Sequence, residues 1–273
     1  DVNDYVFAGL STNNRNIAIY EELIVDTSVD DHVFALSAAT GQMVWETEVL
    51  DYRVNPATQG SGPIVANGLV ISGRSCTPRG GPEACVVTAH DAITGREVWR
   101  RRLIPAPGEP GDESWGGVPY EDRKHVGAWM VPSFDSALNL IYIGTSVTSP
   151  APKFMLGGTD MQHLYHNSTL ALEADTGEIV WFYQHLNDHW DLDHPFERLL
   201  VDTAVSPDAA AVSWINPGLR MGEIRQVLTG IPGKTGIVYT LDRATGEFLW
   251  ATPTVTQNVI SHIDGATGDV TEK

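Results

Sequence analysis

The sequence predicts an all-β chain, a β-propeller of four-stranded antiparallel blades, and three observations predict it. A small residue, then Thr-Gly, then Trp four places after the Gly recurs as Thr40-Gly41 with Trp45, Thr94-Gly95 with Trp99, Thr176-Gly177 with Trp181 and Thr245-Gly246 with Trp250. Other hairpin patterns precede the second and third of these repeats. The composition, 42% hydrophobic with 26 Gly and 16 Pro in 273 residues, suits a turn-rich β protein.

The Thr-Gly step follows from turn chemistry. A polar residue followed by a Gly free to take positive φ lets two antiparallel strands reverse without strain. The Trp then occupies a fixed place on the returning strand. A unit of two to four short strands cannot bury a Trp alone, so the units are expected to stack on one another.

In chain order, the first repeat leads to a hairpin around Asn67-Gly68, within Gly62 to Ser72. Cys76 and Cys85 then enclose a Gly- and Pro-rich loop. A disulfide there would tie the loop down by roughly 2.5 to 3 kcal/mol in the chain-entropy model and place the protein outside the cytoplasm. Two free thiols are the alternative. The second repeat follows, then a hairpin from Ser133 to Gly144, the third repeat and the fourth, whose last strand ends near Thr254. Two hairpins make a blade, which gives about four blades. The whole of 1–273 reads as one partial propeller domain, and the tail from Ile263 as the opening of a further element.

Composition narrows function. Formal charge is −18 with only four lysines, so a phosphate backbone or an anionic membrane surface is repelled, and no nucleic-acid partner is expected. No apolar run is long enough for a membrane-spanning helix. Long connections at about 104–128, 146–168 and 184–197, rich in Pro, Gly, His, Asp and Trp, are where an active face is expected.

The densest polar cluster runs from Gln184 to Glu197 and holds His185, Asp188, His189, Asp191, Asp193 and His194. Such carboxylates and imidazoles bind a hard cation, serve as a general base, or form a solvated acidic loop. Asp191 and Asp193 point the same way if the segment is extended. Lys234 begins an apolar strand. It pairs with an anionic ligand or a carboxylate at the ring's centre, or is solvated; its Gly-x-x-Gly-Lys string falls short of a phosphate loop. Trp129 lies outside the repeats and offers a flat face to a planar cofactor, or packs in the core. His163 and His166 read as loop histidines, and Asn167-Ser168-Thr169 matches a glycosylation acceptor.

Together, the Thr-Gly-Trp repeats, the Trp190-Asp191 step and the run from Lys234 to Arg243 resemble the quinoprotein alcohol dehydrogenases, the methanol and ethanol dehydrogenase family that uses pyrroloquinoline quinone (PQQ). The resemblance implies an eight-bladed ring, of which this chain supplies about half, the rest being missing or on a second chain. It implies oxidation of an alcohol by hydride transfer to PQQ, with Asp191 as the base, a calcium or lanthanide ion, a cytochrome-type electron acceptor, and a periplasmic or secreted location. It places Lys234 at the quinone oxygens, Trp129 under the ring, and Arg15 (in Asn14-Arg15-Asn16-Ile17-Ala18) and Ser75 as further cofactor contacts. Asp191, Asp193 and Glu83 are the implied metal ligands. Val147 departs from the pattern, standing where the family has a metal-binding Asn, and Glu83 is out of register. The rival class is a non-catalytic propeller scaffold that binds protein through its loop face.

Overall fold

Each Thr-Gly step turns one strand back on another, and a computed structural model shows how the resulting hairpins assemble. It describes residues 13–77, 79–148, 153–156, 161–187 and 190–273. Blade 1 is a sheet of β1 (Ala18–Tyr20), β2 (Leu23–Thr27), β3 (His32–Ser37) and β4 (Met43–Glu48). Blade 2 is formed by β6 (Ile64–Ala66), β7 (Leu69–Ser72), β9 (Val86–Asp91) and β10 (Glu97–Arg102), and a short ladder of β5 (Ala57–Thr58) with β8 (Ser75–Cys76) brackets its β6–β7 hairpin. Blade 3 contains β11 (Ser133–Asp135), β12 (Leu140–Gly144), β13 (Ser168–Glu173) and β14 (Ile179–Gln184). Blade 4 has five strands: β15 (Leu199–Val205), β16 (Trp214–Ile215), β17 (Glu223–Gly230), β18 (Ile237–Asp242) and β19 (Phe248–Pro253), in the order β15-β17-β18-β19-β16. The tail forms the hairpin β20 (Ile260–Ile263) and β21 (Val270–Glu272). All pairings are antiparallel, and the four expected blades are present.

The turns are built by side chains as well as by Gly. Asp91 Oδ1 accepts hydrogen bonds from the Thr94 N–H and hydroxyl at 2.8 Å each, and Asp242 repeats this at Thr245. The bonds from Thr94 hold Asp91 below the usual carboxylate range.

Blades join through the Trp residues. The Trp45, Trp99 and Trp181 rings lie against Gly95, Gly177 and Gly246 of the following blade, so closely that a Cβ on any of these glycines would stand 2.4–2.7 Å from the indole. Each indole N–H also donates across the junction: Trp45 to the Ala92 carbonyl at 3.1 Å, Trp99 to Ala174 at 3.0 Å, and Trp181 to Arg243 at 3.2 Å. These rings are buried, and the main core runs between the blades, from Val25, Val33 and Ala35 of blade 1 to Leu170 and Leu172 of blade 3. Trp250 differs: it is only half-buried, and among the described residues no glycine platform meets it. A Cβ on Gly41, the matching platform of blade 1, would meet no described atom within 4 Å.

The tail's Ala-Thr-Gly turn docks on blade 3 and blade 4 instead of on Trp250. Gly268 packs on Tyr183 and Phe248, and the Tyr183 hydroxyl donates to the Gly268 carbonyl at 2.6 Å.

Candidate active site

Lys234 sits in the connection between β17 and β18, and its loop is bound edge to edge to the segment after β14. The Lys234 N–H donates to the Asp193 carbonyl at 3.0 Å and the Phe196 N–H to the Pro232 carbonyl at 3.0 Å. This brings the ammonium to both candidate carboxylates. Lys234 Nζ lies 2.8 Å from Asp191 Oδ1 and 3.0 Å from Asp193 Oδ2. The two acids converge although the segment is not extended throughout, since Asp191 has φ 45°. Asp188 and His189, from the same polar cluster, lie outside the described residues.

The three groups differ in exposure, and that separates their roles. The Asp191 side chain is 84% exposed, Lys234 33% and Asp193 7%. Asp193 Oδ1 accepts the Val147 N–H at 3.0 Å, so Val147, with no side-chain oxygen, contributes its backbone instead. Burial pulls the Lys234 ammonium down, but its hydrogen bonds to Asp191 and Asp193 outweigh burial and leave it above its ordinary value.

Trp129 follows the buried stretch 126–128 and is half-buried. The Arg15 guanidinium lies over its ring, 5.0 Å from the centroid, and also donates to the Gly60 carbonyl at 2.7 Å. Phe196 meets the Trp129 ring edge-on at 5.8 Å, which links Trp129 to the Asp193 segment. Ser75 in β8 packs on the same stretch: a Cβ on Gly127 would stand 3.3 Å from the Ser75 Cα.

Cys76 and Cys85 are joined in a disulfide, and both are buried. Glu83, on the loop that it closes, faces other partners than the candidate metal ligands. It pairs with Arg102 at 3.2 Å and accepts the Tyr120 hydroxyl at 2.7 Å.

A layer of buried polar groups beneath this cluster carries no repeat or motif in the sequence. His185 and His194 stack in parallel with centroids 5.0 Å apart, and His185 Nε2 lies 2.7 Å from Thr169 Oγ1. Burial, with His194 and Arg198 nearby, holds the His185 imidazole well below its usual value. His125 is half-buried beside the cluster, and burial lowers it against the pull of Asp193 and Asp191. His163 and His166, expected as loop histidines, are buried, and His163 stacks on Trp115 at 4.8 Å. Asn167, of the Asn-Ser-Thr acceptor pattern, is fully buried immediately before β13.

Comparison with known proteins agrees with the fold. Residues 47–265 match the family model described as PQQ, glucose/ethanol/alcohol dehydrogenase, beta-propeller domain. The chain is 32% identical over 274 residues to quinohemoprotein alcohol dehydrogenase ADH-IIG of Pseudomonas putida, covering 93% of this chain and 34% of that protein. It is 32% identical over 271 residues to methanol dehydrogenase [cytochrome c] subunit 1 of Methylobacterium organophilum, covering 90% and 39%. The solved structure of ADHIIG from Pseudomonas putida HK5 superposes with a TM-score of 0.81 at 29% identity, over 99% of this chain and 39% of that one. The chain thus spans little more than a third of the length of these relatives. With four blades of the expected kind and a family model matched over most of its length, the chain belongs to the PQQ family of glucose/ethanol/alcohol dehydrogenase β-propeller domains.

Proposed function

We propose that this chain forms part of a PQQ-dependent alcohol dehydrogenase and holds the quinone. The observation that carries the reading is the convergence, in a member of this family, of Lys234, Asp191 and Asp193 beside Trp129 and Arg15. The donor set suits such a group by its chemistry. A half-buried indole offers a flat apolar surface, and a guanidinium and an ammonium suit carboxylate and carbonyl oxygens. Ser75, on the same stretch as Trp129, adds a hydroxyl.

PQQ, when bound, supplies the two-electron acceptor that alcohol oxidation requires. The chain's own residues hold and orient. Asp193, fixed by Val147 and Lys234, keeps the ammonium in place. Asp191, the exposed carboxylate, accepts the alcohol's hydroxyl proton at the oxygen that Lys234 does not engage. A calcium or lanthanide ion would find hard oxygen donors in Asp191 and Asp193. Among the described residues no group of three His, Cys, Asp or Glu is placed to hold a metal ion, so we assign the ion no step.

The remaining features of the reading are an alcohol substrate, a cytochrome-type electron acceptor and further blades that pack against Gly41 and Trp250. The disulfide supports a periplasmic or otherwise secreted location, because such bonds persist in oxidising compartments. Thermal unfolding with and without PQQ tests the function. A ligand of the native state at about 100 times its Kd stabilises it by about 2.7 kcal/mol. A Tm that PQQ does not move, with calcium or lanthanum present or absent, would favour a propeller scaffold.

A further inference from the structure

Arg198 is buried at the start of blade 4, where burial lowers its guanidinium against the longer-range pull of Glu197. A buried guanidinium is costly unless its donors are engaged. Arg198 engages nearly all of them, and every acceptor belongs to one small region. Nε and Nη2 donate to Thr169 Oγ1 at 3.0 and 2.7 Å, Nη2 donates to the His194 carbonyl at 2.9 Å, and Nη1 donates to the Phe196 carbonyl. The last two acceptors flank Pro195, in the segment that carries Asp193.

The contacts extend to the Lys234 loop. Thr169 Oγ1, which accepts from Arg198, also lies 2.7 Å from His185 Nε2. His185 stacks on His194, and His194 Nε2 lies 3.2 Å from the hydroxyl of Thr235, the residue after Lys234. Two glycines make this packing possible. A Cβ on Gly144 would stand 2.4 Å from Arg198 Nη1, and one on Gly233 would stand 2.4 Å from both the Asp193 carbonyl oxygen and the His194 ring.

We infer that Arg198 is a positioning residue for the site: anchored on Thr169 of β13, it holds the carbonyls of His194 and Phe196 so that Asp193 and Lys234 keep their register. The two loops are otherwise joined by few backbone bonds and carry no regular structure, so their relative placement depends on what lies beneath them. The chemistry fits Arg and not Lys, since a rigid fork serves three acceptors at once where an ammonium would serve them from a single point. The effect on ligand affinity rests on the PQQ reading above; the brace itself does not.

Hydrogen exchange of the Lys234 and Phe196 amides tests the brace directly, in Arg198→Met, Thr169→Val and Thr169→Ser variants of the whole polypeptide. Arg198→Met and Thr169→Val should exchange these two amides about tenfold faster or more, with amides of β2 and β3 in blade 1 unchanged. Thr169→Ser, which keeps the hydroxyl, should resemble the unaltered protein. Removing the outer partners of metal ligands typically costs 10–100-fold in metal affinity or activity, and by the same logic PQQ should bind the first two variants about tenfold more weakly. Unchanged exchange at Lys234 and Phe196, an equal acceleration in every blade, or a Thr169→Ser variant as loose as Thr169→Val would overturn the inference. Should Arg198→Met not fold, the Thr169 pair decides alone. An unaltered protein that binds no PQQ would sink the proposed function while leaving the exchange result to judge Arg198.

Discussion

Lys234 and Asp193 are joined twice, once by their backbones, with the Lys234 N–H 3.0 Å from the Asp193 carbonyl, and once by their side chains, with Nζ 3.0 Å from Oδ2. The backbone bond fixes the two loops side by side, and the ion pair then places a cation on a carboxylate that is almost wholly buried. Asp191 shares the same ammonium from the solvent side.

Removing the cation should therefore cost more than removing the pair. Breaking a buried ion pair from one side typically costs 3–5 kcal/mol, and the partial exposure of Lys234 reduces this to about 1–3 kcal/mol. Lys234→Met should lose that much in urea unfolding, and the Lys234→Met, Asp193→Asn double variant should regain most of it. A double-mutant cycle with no coupling would contradict the pairing.

The inter-blade Trp residues should rank by burial. Trp181→Ala removes a buried indole and its bond to Arg243, and should destabilise by about 3–5 kcal/mol. Trp250→Ala, at a half-buried ring with no platform among the described residues, should lose about 1–2 kcal/mol. Gly246→Ala should be harmful twice over. Its φ of 76° disfavours a side chain, and the added Cβ would stand 2.7 Å from the Trp181 ring. Calorimetric Tm values for the three variants check the order.

The blades were legible in the sequence because the Thr-Gly turn and the Trp that follows it are local signals, fixed within a few residues. The first strands of blades 1 and 4 carry no such turn, and β16 pairs with β19 only through the tertiary fold. At the site, residue type singled out Asp191, Asp193, Lys234 and Trp129, and the family resemblance gave them their expected roles. The resemblance gathered them at one site, but the backbone bond and ion pair that join Lys234 to Asp193 were not legible, because Lys234 reaches Asp193 from another blade's connection. Arg198 gave no signal, since no motif or repeat marks it, whereas the fold buries it on Thr169. His163 and His166 do lie in a connection, between β12 and β13, but nothing in its polar sequence announces that their imidazoles pack inward.

His90 should make the protein sensitive to mild acid. It is buried in β9, and desolvation, with Arg74 and Arg100 adding and Glu97 opposing, lowers it from 6.5 to about 4. The unfolded chain then takes up the proton first, so the stability His90 contributes is complete above about pH 6.5 and falls as pH drops towards 4. The full span is worth about 3 kcal/mol. Neither ring nitrogen has a hydrogen-bond partner among the described residues, so His90→Leu leaves no orphaned group. That variant should flatten the dependence of the urea midpoint on pH between 4 and 6.5 by about one proton per molecule.

The disulfide should matter to the site as well as to stability. It closes a loop with a sequence separation of 9, so reduction should cost roughly 2.5 to 3 kcal/mol in the chain-entropy model. Cys76 also pairs with Ala57 in the β5–β8 ladder, and Ser75 beside it pairs with Thr58. Loosening Cys76 therefore loosens Ser75 and the stretch against which it packs, ahead of Trp129. A Cys76→Ala, Cys85→Ala variant should unfold at lower urea and bind PQQ several-fold more weakly. Glu83→Gln supplies the control within the same loop. It releases the contacts to Arg102 and Tyr120, which are partly exposed and worth about 1 kcal/mol or less together. It should leave the affinities for PQQ and for calcium or lanthanum within twofold of the unaltered protein. Isothermal titration of both variants separates the two effects: a large loss of metal affinity in Glu83→Gln would return that carboxylate to the ligand set, and an unchanged PQQ affinity in the cysteine variant would detach Ser75 from the site.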